Sequence, residues 1–107
     1  MKTALELIQE ERQRQINVEG YTSEEDDLQD GQELAIAAAC YALPAEKRRT
    51  NNWFVGYPGD WPWSHEYWKP TPELRQRELI KAGALIVAEI ERLQRLELQV
   101  INKNTEQ

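Results

Sequence analysis

With 107 residues, a formal charge of −6 and a pI near 4.8, the chain has room for one hydrophobic core, and its field opposes duplex nucleic acid or an anionic membrane. The lone Cys40 excludes an intramolecular disulfide, and no apolar run approaches the roughly 20 residues of a membrane span. No signal peptide is read, so a single cytoplasmic domain over residues 1–107 is expected.

Thr3-Ala-Leu-Glu6 has capping-box form, and the spacing predicts a helix from about 3 to 17 with Leu5, Ile8 and Ile16 on one stripe. Arg12 falls inside that stripe, and Gln15 falls close to it. Arg12 is expected inward, either snorkelling from a helix edge or holding an anion. Gly20 breaks the helix, and Thr22 or Ser23 caps a second one expected from about 24 to 43. Its early residues Glu24, Glu25, Asp26, Asp27, Asp30 and Glu33 suit a helix N-terminus. On an unbroken helix Asp26, Asp30 and Glu33 share an arc of about 60° that continues through Ala37 and Tyr41. Two readings stay open for that row: a solvated, dipole-favoured helix start, or a set of oxygen ligands for a divalent ion.

Leu34 to Leu43 is apolar nearly all round, which makes this helix central, and Pro44 ends it. The basic segment from Ala45 to Thr50 reads as a solvated connection. Residues 51–72 hold all four tryptophans, the single histidine and four of the five prolines. Pro58, Pro62, Pro70 and Pro72 forbid a continuous helix, while the ring content argues against a solvated linker. An ordered loop is expected, used either as a plug on the bundle or as a stacking surface for a base. Thr71-Pro72-Glu73 then predicts a third helix from about 72 to 100, with Leu79, Ala82, Leu85, Ile86, Ile90, Leu93 and Leu96 at helical spacing and a frayed tail over 102–107. Glu78, Lys81, Glu89 and Arg92 interrupt its core face, as ion pairs within the bundle or as site residues. The fold class expected is all-α: a small bundle of three main helices with a long Trp/Pro-rich loop between the second and third.

The strings Glu11-Arg-Gln-Arg-Gln-Ile16, Glu19-Gly-Tyr-Thr22, Asp26-Asp27, Glu33-Leu-Ala35, Trp61-Pro-Trp63, Trp68-Lys-Pro70 and Leu79-Ile-Lys-Ala-Gly-Ala-Leu-Ile86 resemble a family of small phage and prophage proteins. Glu25 and Gln29 stand where that pattern carries histidines. Asp30-Gly-Gln-Glu33 and Glu78-Leu-Ile-Lys81 are more distantly similar to the two acidic elements of the MazG-like all-α NTP pyrophosphatases. Asp30 there replaces a glutamate, and Lys81 replaces the final aspartate. The resemblance implies a nucleotide or other small phosphorylated ligand. Its enzymatic form is a Mg²⁺ site of Asp26, Asp30, Glu33 and Glu78, with Glu33 and Glu78 catalytic. Arg12, Lys81 and Arg92 would then neutralise phosphate, and Trp61, Trp63, Trp68 and Tyr41 would stack the base. Lys81 in place of an acid favours a second form, a non-catalytic protein that sequesters a nucleotide signal or binds a host protein. A third is a structural helical oligomer, since the last helix has more apolar surface than one neighbour covers.

Overall fold

Thr3 accepts a hydrogen bond from the Glu6 amide (3.2 Å) and donates its own amide to the Glu6 carboxylate (3.1 Å), closing the expected capping box at the start of α1 (Ala4–Val18). Gly20, at φ 78°, turns the chain out of it, and the Tyr21 amide returns to the Gln15 carbonyl (3.0 Å). That left-handed step falls at the one local residue without a Cβ. The computed structural model describes residues 1–49 and 57–105, and over these the chain is all-α, with α2 (Ser23–Asp27), α3 (Glu33–Ala42) and α4 (Arg75–Thr105) following α1. Short 3₁₀ turns lie at Ala45–Lys47 and His65–Tyr67. No described helix is long and apolar enough to cross a membrane.

The expected helix over 24–43 is two helices. Thr22 caps α2 through the Glu25 amide (3.3 Å), but α2 stops at Asp27, and Gln32 enters the left-handed region at φ 66° before α3 begins. Asp30-Gly31 supplies the turn chemistry that separates them. A buried contact fixes the break: Asp26 is 2 % exposed and is bound by Arg12, which draws α2 toward α1.

The core is the face of α3 carrying Leu34, Ala37, Ala38, Cys40 and Tyr41, set against Ala82, Leu85 and Ala88 of α4 and closed by Trp61. Small side chains on both helices permit the close approach that buries them. α1 packs along another side of α4, where Gly83 leaves the room that Ile8 fills: a Cβ on Gly83 would stand 2.8 Å from Ile8 Cδ1. α4 starts later than expected, because Pro72 lies in a turn with the Leu74 amide on the Thr71 carbonyl (2.8 Å). It also runs on to Thr105, through most of the expected tail. At 31 residues it is about 46 Å long, far longer than α3. Its apolar residues divide between two faces. Ala82, Ala84, Leu85 and Ala88 are buried, whereas Leu79, Ile86, Ile90, Leu93 and Leu96 stay about half exposed.

Candidate functional site

The charged residues that interrupt the core face of α4 are all buried, and each is engaged. Glu78 accepts from Arg48 (2.9 Å), from Arg75 (3.2 Å) and from the Thr71 amide (3.0 Å). Burial alone would raise its carboxyl, but Arg48, the Thr71 amide and Arg75 outweigh that and hold it below the usual glutamate value. The same guanidinium groups bind the carbonyls at the end of α3: Arg48 takes those of Cys40 and Tyr41, and Arg75 those of Tyr41 and Ala42. Cationic side chains at a helix C-terminus satisfy its orphan acceptors. Glu78 therefore anchors two arginines that cap α3.

A second cluster joins α1 to α4. Glu11, 2 % exposed, accepts from Arg14 (2.8 Å) and Arg77, and these bonds hold its carboxyl below its usual value against the opposing effect of burial. Arg12 donates to Asp26 (2.8 Å), to Glu91 (3.3 Å) and to the Tyr21 carbonyl (3.1 Å). Asp26 is nonetheless raised, since burial outweighs Arg12 there. Arg92 and Glu89 pair along one flank (2.7 Å).

This arrangement separates the acidic row. Asp26 is buried on α2, Asp30 is exposed in the turn, and Glu33 opens α3, so the common helical face requires a helix that the chain interrupts. Glu78 belongs to the Arg48 and Arg75 cluster. Among the described residues no three His, Cys, Asp or Glu side chains stand together as a metal site. As placed, the donor set does not fit Mg²⁺, because the oxygens of Asp26 and Glu78 face guanidinium groups. Of the three cations expected to meet phosphate, Arg12 and Arg92 are bound to carboxylates, and Lys81 alone of them lines the cavity beside the aromatic cleft.

The rings are split in a similar way. Trp53 lies outside the described residues. Tyr41 stacks on Trp68 (4.6 Å between centroids), Trp61 meets Tyr41, Trp63 and Trp68 edge-on (5.6, 5.3 and 4.9 Å), and the Lys69 amide donates to the Tyr41 hydroxyl (3.1 Å). Burial raises that hydroxyl to about 12. Tyr41, Trp61 and Trp68 thus close the core, while Trp63 stands at its edge with Nε1 donating to Gln29 (2.8 Å).

From Trp63 outward lies a cleft of about 300 Å³, walled by Tyr21, Trp63 and Tyr67 and rimmed by Glu19 and Glu25. Tyr21 and Trp63 are tilted at 43° with centroids 5.5 Å apart. Glu19, Tyr21 and Tyr67 also line a smaller cavity of about 20 Å³, where Arg14, Lys69 and Lys81 converge with Glu11 and Gln15. That volume accommodates a water-sized group. Lys81, 8 % exposed, donates to the Lys69 carbonyl (2.7 Å) and lies over the Tyr41 ring (5.5 Å). Burial, and next the charge of Arg77, lower its ammonium from the usual lysine value. Gln15, 3 % exposed, leaves its side-chain oxygen without a hydrogen-bond partner. Lys69 bridges to both oxygens of Glu19 (3.0 Å each) across the mouth.

Sequence reasoning placed Arg12 and Gln15 inward, and both are buried. Glu11, one turn from Ile8 and from Gln15, and Arg48, in the segment that reads as a solvated connection, are the buried side chains that this reading lacks. Helical phase contained the signal for Glu11. Nothing local marked Arg48, whose partner is thirty residues away. No protein family, no curated protein and no solved structure matches the chain.

Proposed function

We propose that the chain is a non-catalytic nucleotide-binding protein, one of the two forms implied by its resemblance to small phage proteins and to MazG-like bundles. What carries the reading is the wall of Glu19, Tyr21 and Tyr67 shared between the aromatic cleft and the cavity of Arg14, Lys69 and Lys81. A base stacked on Trp63 and Tyr67 would direct its phosphate toward Lys69 and Lys81, since Arg14 is already held by Glu11 and Glu19. The cleft is at the lower end of the range for small-molecule sites, and stacking is worth about 1–3 kcal/mol per base. The cavity is water-sized, so entry of a phosphate requires the Lys69–Glu19 bridge to open and the side chains around the cavity to move apart. The Lys69 side chain is 56 % exposed, and Glu19, 9 % exposed, keeps Arg14 (3.2 Å) as a partner when the bridge opens. Binding without turnover is favoured because Asp26 and Glu78 already balance guanidinium charge, leaving them poor ligands for Mg²⁺.

Thermal shift against a panel of NTPs, dNTPs, cyclic nucleotides and the matching nucleosides, in Mg²⁺ and in EDTA, tests this. At least one nucleotide should raise the melting temperature equally in both, and more than its nucleoside does. Trp63→Ala should weaken nucleotide and nucleoside alike, whereas Lys81→Met should remove the difference between them. Stabilisation seen only with Mg²⁺, accompanied by pyrophosphate release, would favour the hydrolase form; silence across the panel would reject both.

A further inference from the structure

Leu79, Ile86, Ile90 and Leu93 project within an arc of about 60° on α4, on the side turned away from Leu85 and Ala88, and Leu96, Val100 and Ile101 extend the strip. Each of these seven side chains is 46–52 % exposed. Leu79, Ile86, Leu93 and Val100 recur every seventh residue and Ile90 falls between, the spacing by which one helix seats another. At Gly83 the apolar surface continues onto α1, where Ile8 fills the missing side chain's place and Leu5 is 79 % exposed. The strip totals on the order of 700 Å², above the few hundred Å² that monomers usually leave bare and close to the roughly 800 Å² each partner gives to a standard interface.

We propose that this face binds a second copy of the chain, with the two α4 helices antiparallel about a two-fold axis near Ile86. A two-fold interface needs a self-complementary strip, and the central part of this one meets that need: Leu79 and Leu93 are equally distant from Ile86, so each meets the other across the axis, while Val100 and Ile101 lie beyond the overlap of the two helices. Charge chooses the direction. Glu97 lies in the same arc as Leu79 and Ile90, so parallel helices would set Glu97 against its own copy. Antiparallel helices separate the two Glu97 side chains and bring each to the end of the second copy's strip that carries Arg75. That residue, which caps α3 yet stays 35 % exposed, lies as far before Ile86 as Glu97 lies after it. Along one edge of the seam Gln76 and Gln94 are uncharged, and along the other Glu89 is balanced by Arg92. The cleft residues Tyr21, Trp63 and Tyr67 are not part of the strip, so the dimer and ligand binding stand or fall separately.

Sedimentation equilibrium of the full chain in the micromolar range should give twice the 12.5 kDa of one chain. Ile86→Glu and Leu93→Glu should each return the single-chain mass with unchanged helical circular dichroism, as half-exposed positions permit. Under mild oxidation Ile86→Cys should form a disulfide-linked dimer and Leu79→Cys should not, the native Cys40 being buried. A wild-type chain that sediments at single-chain mass would overturn the proposal and leave the face to a different protein. So would a dimer indifferent to Ile86→Glu, or one in which Leu79→Cys links to itself, since that requires parallel helices.

Discussion

Glu78 ties the end of α3 to the start of α4 at a single buried carboxylate, so its loss should be felt through both helices. Glu78→Gln keeps the shape but leaves Arg48 and Arg75 facing a neutral group. Breaking a buried pair in this way costs about 3–5 kcal/mol, and urea denaturation at neutral pH should show a loss of that size. The folded-state carboxyls of Glu78 and Glu11 lie below their usual 4.5, so their stabilisation is complete above that value and is lost as the pH falls through the folded values. Wild-type stability should therefore decline steeply on acidification below about pH 4.5, and Glu78→Gln should flatten part of that slope. Equal slopes in the two proteins would contradict this assignment. These pairs were only half legible in the sequence. Helical phase turns Glu78, Lys81, Glu89 and Arg92 toward the core and sets Arg75 one turn before Glu78, but Arg48 reaches Glu78 from a place that no periodicity marks.

At the scale of elements, the capping box of α1, the Gly20 turn and the long apolar pattern of α4 are local features, and the chain displays them openly. The break between α2 and α3 is hidden, because Leu34 onward has the apolar character of a buried helix and the acidic residues before it suit a helix start. Asp30-Gly31 is the one local cue; the contact that enforces the break, Asp26 on Arg12, joins different elements. Gln32 adopts φ 66° without the freedom of glycine. Left-handed backbone costs a residue with a Cβ about 1–2 kcal/mol, offset in part by the greater unfolded-state entropy of glycine. Gln32→Gly should accordingly raise stability by up to about 1 kcal/mol, and Gln32→Val should lower it, as read from urea midpoints. A stability loss in Gln32→Gly would mean that the side chain holds the turn.

Over the whole molecule, an all-α class and a single domain-sized core follow from length, apolar spacing and the proline block. The placement of the site does not. The cleft is assembled from the turn after α1, the end of α2 and the aromatic segment, and its cavity from α1, Lys69 and α4, so its members are distant in sequence and share no helical face. The same packing that brings them together commits the buried carboxylates to arginines. Binding without hydrolysis, as proposed above, can be read by ³¹P NMR of a nucleoside triphosphate mixed with stoichiometric protein and excess Mg²⁺. The phosphate resonances should shift or broaden with wild-type protein, less so with Lys81→Met, and keep their integrals over hours. Growth of pyrophosphate and nucleoside monophosphate signals in proportion to protein would contradict it, as would resonances unmoved by any nucleotide that the thermal panel selects.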